Sequence, residues 1–283
     1  MEVQTLSIPQ MKMTDEEFLL MRNLIQSRLG INLTEQKKGL LITRLNKYMR
    51  TAGFETFQQY IDHLHKDQTG VSLGELADMI STNHTYFFRE SKHFEFLSST
   101  ALPQIMTQLR AQKSLDFRMW CAAASTGEEP YGLMITLMEY LGSHYNSWDA
   151  GLLATDISRE ALNVAESGIY DDQGVSKIPV GLRNKYFSKT QEGNWFINNF
   201  VRSQITYRRF NLMRPEFPFK KPFHIIFCRN VMIYFDLPTI ERLVNNLFQW
   251  TAPGGYLFVG FSESLSGIHN PYRYVSPAIY QKP

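Results

Sequence analysis

Gly127 is followed at once by Glu128 and Glu129, and Asp156 lies 29 residues beyond that glycine (156 − 127). These residues belong to two similar passages. The first, Leu115–Tyr131, reads LDFRMWCAAASTGEEPY. Its apolar run Phe117–Ala124 predicts a buried strand, Ser125-Thr126-Gly127 a turn of small residues, and Pro130 the opening of a helix that runs to Leu141. A strand that enters a small-residue turn and then a helix is how an α/β sheet presents its ligand edge. Small side chains admit a ligand to the backbone, and the first free N–H groups of the helix stand at the crevice. A dinucleotide fingerprint would read G-x-G-x-x-G, and only Gly127 is present. Two carboxylates repel a pyrophosphate, so the pair favours a ligand with positive charge, such as the ammonium and sulfonium groups of S-adenosylmethionine (SAM). An ordinary strand-to-helix connection explains the same residues equally well.

The second passage is the predicted strand Trp148–Ala154, which closes on Thr155-Asp156-Ile157-Ser158. An acidic residue at the carboxyl end of the next strand can accept both hydroxyls of a ribose. Alternatively, Asp156 or Ser158 caps the helix expected over Arg159–Ser167. A third candidate stretch is STNHTYFFRE at 81–90. Its aromatics pack a hinge, or they wall an adenine or methionine and leave Asn83, Thr85 and Arg89 as polar donors. Cys121 and Cys228 fall in apolar runs without CxxC or His-spaced partners, which reads as two buried thiols and no metal site.

Around these residues the chain must supply elements. Its 283 residues suit one large domain or two ordinary ones, with near-average apolar and charged fractions (43% and 20%) that rule out wholesale disorder. A net charge of +2 makes no statement about partners, so electrostatic steering must come from local patches. No signal-peptide pattern is visible and no window approaches a membrane span, so a cytoplasmic protein without membrane insertion is expected. The sequons at Asn32 and Asn83 then mean nothing for glycosylation.

After a loose arm over 1–12, Thr14 and Glu17 have capping-box spacing. Phe18, Met21, Leu24, Ile25 and Leu29 then recur at helical intervals before Gly30. Further helices are predicted over about Thr34–Thr51, from Glu55 through Leu64, and over Ser72–Ser81, making a compact helical unit. In the second of these, Leu41, Ile42, Leu45, Tyr48, Met49 and Ala52 gather on one side. Lys37, Arg44, Lys47 and Arg50 gather on the other. That single-signed face suits either solvent or an acidic partner. A helix over His93–Ala111 leads into the strand Phe117–Ala124. Farther on, Trp195–Val201 and Ile205–Phe210 suggest a small antiparallel lobe. Asn211-Leu212 follow, then the buried strand Phe223–Cys228 and the run Arg229–Phe235. A helix over Pro238–Trp250 comes next, with Pro253-Gly254-Gly255 turning into a strand Tyr256–Phe261. Tyr272–Tyr280 supplies a closing antiparallel pair. Alternating strands and helices mean an α/β class domain, with a mainly parallel sheet covered on both faces.

Five of these passages, NHTYFFRE at 83–90, AAASTGEEPY at 122–131, TDIS at 155–158, FNL at 210–212 and FCRNVMIYF at 227–235, resemble in order and spacing the CheR-type chemotaxis receptor methyltransferases. The resemblance runs from about residue 14 to 280. It implies a small all-α N-terminal substrate-docking domain with linker over 1–90. A Rossmann-like SAM-dependent methyltransferase domain would follow over 91–283, with a β-subdomain inserted at about 187–210. It implies a protein-glutamate O-methyltransferase acting on the cytoplasmic helical bundle of methyl-accepting receptors, producing methyl esters and S-adenosylhomocysteine. The cofactor would contact Asn83, Thr85, Arg89, Glu129, Asp156, Asn211, Leu212, Asn230 and Val231. Of these, Asp156 would hold the ribose and Glu129 would face the methionyl end. Arg89 and Tyr234 would sit beside the reacting methyl. The basic face of Lys37, Arg44, Lys47 and Arg50 becomes a receptor contact, and a monomer is expected. Family members that tether to a receptor pentapeptide use a longer, glycine-rich loop in the β lobe. Here SKTQEG at 188–193 is short, which favours direct recognition of the methylation helices.

The chemistry agrees with what is missing. A solvated glutamate has a pKa of about 4.3 and is already a nucleophile at neutral pH, so no general base is needed. The protein must align oxygen, methyl and sulfur and strip water from the carboxylate. Charge disappears in the transition state, so a fully paired arginine on the reacting oxygen would stabilise the wrong state. Arg89 is therefore expected to orient, and Tyr234 to hold a lone pair in line. A nucleic-acid methyltransferase is the nearest rival, since a basic helix also suits phosphates. Yet RNVMIYF lacks the Pro-Pro-aromatic run of amino-directed base methyltransferases, and a Pro-Cys nucleophile is missing.

Overall fold

The computed structural model describes residues 11–81 and 83–283. The chain divides into two compact units, with the boundary after Ser81, so the 83–90 stretch belongs to the second unit. The arm expected over 1–12 falls almost wholly outside the described residues.

The first unit is helical: α1 Asp15–Leu29, α2 Lys38–Ala52 entered through a 3₁₀ turn at Glu35–Lys37, α3 Phe57–Lys66 and α4 Val71–Ile80. Thr14 and Glu17 form the capping box (2.8 and 3.1 Å), and the second Glu17 oxygen accepts from Gln58 N in the first turn of α3. One carboxylate thus starts two helices. Phe18, Met21, Ile25, Leu45, Met49, Tyr60 and Leu76 interlock as the core. Ala52, placed on the apolar side by periodicity, is exposed. Asn46 takes an inward place, bonding the backbone of Met11 and Ile42.

The second unit opens with α5 Lys92–Phe96 and α6 Leu102–Ala111, continuous through a π-helical turn at Leu97–Ala101. Pro103 has no N–H and its ring displaces the carbonyl one turn back, which accounts for the widened turn just before it. There follow β1 Asp116–Cys121, α7 Glu128–Leu141, β2 Asp149–Asp156, α8 Arg159–Ser167, β3 Ile169–Tyr170, α9 Val180–Tyr186, β4 Phe187–Lys189, β5 Trp195–Ile197, α10 Asn199–Arg202 and β6 Ile205–Arg209. The chain ends with β7 Phe223–Phe227, α11 Leu237–Trp250, β8 Thr251–Phe258, β9 Arg273–Ser276 and β10 Ile279–Gln281. The main sheet has the order β6-β2-β1-β7-β8-β10-β9. Strands from β6 to β8 run parallel, and β10 and β9 close the edge antiparallel. Alternate residues serve opposite faces: Phe117, Met119 and Cys121 enter one core, Trp120 and Ala122 the other.

Three expectations change. Ile205–Arg209 is no part of the antiparallel lobe; it extends the main sheet parallel to β2, Ile205 opposite Leu152. Strand propensity cannot choose between sheets. The lobe itself is β3-β5-β4. Pro253-Gly254-Gly255 is a bulge inside β8: Phe223 pairs with Thr251 but Ile225 with Tyr256. A Cβ on Gly255 would lie 2.8 Å from His224 O. Finally, β8 stops at Phe258 rather than Phe261: the N–H of Gly260 goes to Glu263, three residues on, and that of Phe261 to Glu90.

Candidate active site

Strand order reverses between β1, which leads to β2 and β6 on one side, and β7, which leads to β8 on the other. Ligands bind such sheets outside the carboxyl ends at that switch point. The quoted motifs converge there in two halves.

On the β2 side, Gly127 caps α7 at φ 101°. A Cβ there would approach Ala165 Cβ and the Tyr170 hydroxyl to 2.8 Å, so both conformation and space demand glycine. The helix starts at Glu128, two residues before Pro130, which sits in the first turn where its missing N–H costs nothing. Asp156 ends β2, 9% exposed. Its carboxylate accepts from Ser125 N at 2.8 Å and from Ser158 N at 2.9 Å, shaping the turns after both strands. Ser158, not Asp156, caps α8, through Ala161 N at 3.0 Å. Ser125 Oγ is buried without a hydrogen-bond partner among the described residues. Phe210 N donates to Asp156 O, which sets Asn211 and the buried Leu212 directly after the same edge. Glu128 is 8% exposed and accepts from the Thr126 hydroxyl (2.7 Å); burial pushes its carboxyl upward.

On the β7 side stands a buried ion cluster. The Arg229 side chain, 1% exposed, donates to Glu129 and, at 2.8 Å each, to Glu90 and to the Arg89 carbonyl. Burial pushes the Glu90 carboxyl up, but the charge and hydrogen bonds of Arg229 outweigh it and hold the group below its usual range. Glu90 also receives Phe261 N at 3.1 Å and Asn230 Nδ2 at 3.3 Å. Cys121 Sγ reaches Glu129 at 3.3 Å, a structural thiol that burial drives upward. One guanidinium against two carboxylates leaves an excess of one negative charge. Val231 and Tyr234 are half-buried in the loop after β7, and Asn230 sits at φ 57°.

Arg89, half-buried, turns its own side chain to His84 O (2.9 Å) and over the Tyr86 ring. Asn83 is exposed and Thr85 half-buried on the approach to it. Lys37, Arg44, Lys47 and Arg50 belong to the helical unit. There Arg44 donates to the carbonyls of Met79, Ile80 (2.9 Å) and Ser81, capping α4, while Lys47 is exposed. Glu90 and Arg229 carry little sequence signal, only a charge close behind buried aromatic residues in FFRE and FCRN. Glu263, in FSES, carries no more.

A parallel sheet reversing at a small-residue turn, with an acidic end to its second strand, defines a Rossmann-like nucleotide-cofactor domain. The chain matches the model of the CheR methyltransferase SAM-binding domain over 83–280 and that of the CheR methyltransferase all-alpha domain over 16–81. It is 39% identical over 269 residues to the chemotaxis protein methyltransferase of Borreliella burgdorferi, covering 95% of each chain. It is 31% identical to the chemotaxis protein methyltransferase of Escherichia coli K12, over 95% of this chain and 91% of that one. The chain belongs to the CheR methyltransferase family and is a SAM-dependent methyltransferase. The residues present fit that cofactor. The Asp156 carboxylate, the orphaned Ser125 hydroxyl and the negative excess beside Glu129 suit a ribose and a cationic amino-acid end.

Proposed function

We propose that this protein methylates glutamate side chains on the cytoplasmic helices of chemotaxis receptors, a reading that makes specific what its relatives' names give only as chemotaxis protein methyltransferase. The observation that carries the reading is the edge itself: a carboxylate closing β2, a negatively biased cluster closing β7, and the family match across both units. Bound SAM supplies an electrophilic methyl group on a sulfonium.

The rest is positioning. Asp156 holds the ribose, with Asn211 and Leu212 beside it. Glu129 faces the methionyl ammonium, its orientation set by Arg229. Asn83, Thr85, Asn230 and Val231 complete the cofactor contacts. Arg89 orients the incoming glutamate or the cofactor, and Tyr234 aligns the acceptor oxygen. The acceptor arrives ionised, so the reaction needs neither a base nor a metal. Lys47 and its basic neighbours on α2 meet acidic receptor helices. The enzyme works as a cytoplasmic monomer brought to receptor arrays by its substrate. The turn joining β4 to β5 closes on itself, Thr190 N to Asn194 O at 2.8 Å, which supports recognition without a pentapeptide tether.

The test is transfer of labelled methyl from SAM to receptor-containing membranes, with receptors bearing or lacking a C-terminal pentapeptide. Base-labile label of equal yield on both is expected. Label on nucleic acid instead would overturn the reading. Asp156→Ala removes charge-assisted hydrogen bonds of roughly 1.5–3 kcal/mol each, so calorimetry should show S-adenosylhomocysteine affinity down at least about tenfold. Undiminished affinity in the folded variant would remove the ribose role.

A further inference from the structure

The loop after β7 that carries Asn230, Val231 and Tyr234 has little regular structure of its own, only a 3₁₀ turn at Met232–Tyr234. Its amides instead converge on one side chain from beyond β8. Glu263 Oε1 accepts from Met232 N at 2.7 Å and Ile233 N at 3.3 Å; Oε2 accepts from Asn230 N at 2.9 Å and from Gly260 N. Glu263 is 7% exposed. A carboxylate offers about four lone-pair sites on two oxygens, and four N–H groups occupy them. Burial still pushes this carboxyl upward against the pull of those donors. The fit is close. A Cβ on Gly260 would lie 2.5 Å from Asn230 Nδ2 and 2.9 Å from Glu263 Oε2.

We propose that Glu263 is a positioning residue for methyl transfer, bracing the 230–234 loop so that Asn230 and Val231 meet the cofactor and Tyr234 meets the acceptor. This rests on the site roles proposed above. Asn230 sits in the left-handed region, at φ 57°, which an asparagine tolerates but does not prefer. The geometry of the loop is therefore imposed from outside, and Glu263 supplies the imposing contacts. Glutamine is isosteric, but its amide would turn two N–H donors onto one pair of backbone N–H groups. It keeps half of the brace and opposes the other half.

The experiment uses the full chain with Glu263→Gln and Gly260→Ala, read by steady-state kinetics, calorimetry with S-adenosylhomocysteine and thermal unfolding. Folded Glu263→Gln should lose about 100-fold in kcat through misplacement of the loop, and about tenfold in cofactor affinity, with KM for the receptor within about twofold of wild type. A merely structural residue would lower the unfolding midpoint and leave kcat intact well below it. Unchanged kcat and affinity in folded Glu263→Gln overturn the proposal. Amide exchange supplies a check on the unaltered protein should both variants fail to fold. The Asn230, Met232 and Ile233 amides should exchange at least about 100-fold more slowly than unbonded loop amides, and rapid exchange overturns the brace. If wild type itself binds no cofactor, the failure lies with the site reading, and the exchange result still stands or falls alone.

Discussion

Both units carry exposed ion pairs, such as Lys38 with Asp15 and Lys185 with Glu139, but among the described residues only the sheet unit also encloses an ion cluster. In the helical unit the ion pairs lie at the rim, Lys38 with Asp15 and Arg22 with Glu35, while the half-buried Arg44 is held on the carbonyls that end α4. In the sheet unit Arg229 is enclosed between Glu90 and Glu129, and Glu263 is enclosed by backbone amides. Rim charges stabilise little and can be exchanged for a partner's; enclosed ones fix backbone segments and cannot leave without large cost. One unit is built to present a surface, the other to hold a geometry.

The strongest way to break that contrast is Arg229→Ala. It strands two carboxylates, one on the 83–90 segment and one on α7, and should cost about 3–5 kcal/mol in denaturant unfolding. The four tryptophans, Trp120, Trp148, Trp195 and Trp250, all lie in the sheet unit, so their fluorescence reports on it. A loss below about 1 kcal/mol would show that the cluster relaxes to water and is no rigid support.

Acidification comes next. Burial holds both His93 and His224 down at about 4, from an ordinary 6.5. His224 Nδ1 accepts from Arg118 N at 3.1 Å, which only a neutral ring can do. Their folded pKa values are depressed, so between pH 6.5 and 4 the unfolded chain binds more protons. Stability therefore falls as pH falls through that window. By pH 5 the loss should be about 2 kcal/mol for each histidine, seen as an earlier urea midpoint by tryptophan fluorescence. A flat midpoint from pH 7 to pH 5 would contradict neutral burial.

The smallest effects sharpen the helical side. Arg44→Ala uncaps α4 and should cost about 1–2 kcal/mol by far-UV dichroism. Lys47→Ala should stay within about 0.5 kcal/mol while raising KM for the receptor. Equal stability losses for the two would mean that the basic face is not divided between support and docking.

Much of this was legible beforehand. Thr14 with Glu17 and Gly30 mark helix ends through local geometry, and α1 starts and ends at those residues. The Gly127 turn and the acidic end of β2 could be read because strand, turn and cap signals act over a few residues. The strand at 205–209 went to the wrong sheet because pairing partners lie far away in the chain. Arg44 read as a surface cation because periodicity cannot see the carbonyls of a helix 35 residues on. Arg229, Glu90 and Glu263 stayed hidden for the same reason. Arg229 reaches Glu129 and the Arg89 carbonyl 100 and 140 residues away, Glu90 receives Asn230 from 140 residues away, and Glu263 holds loop amides about 30 residues back.

The order of residues by itself determined the ends of α1, the small-residue turn, the family and the kind of cofactor, because each depends on neighbours or on a motif in register. Only tertiary structure decided which carboxylates remain available to a ligand and which are consumed as supports. That choice depends on burial and on backbone donors arriving from other strands, and the free energy of a charge is set by what surrounds it.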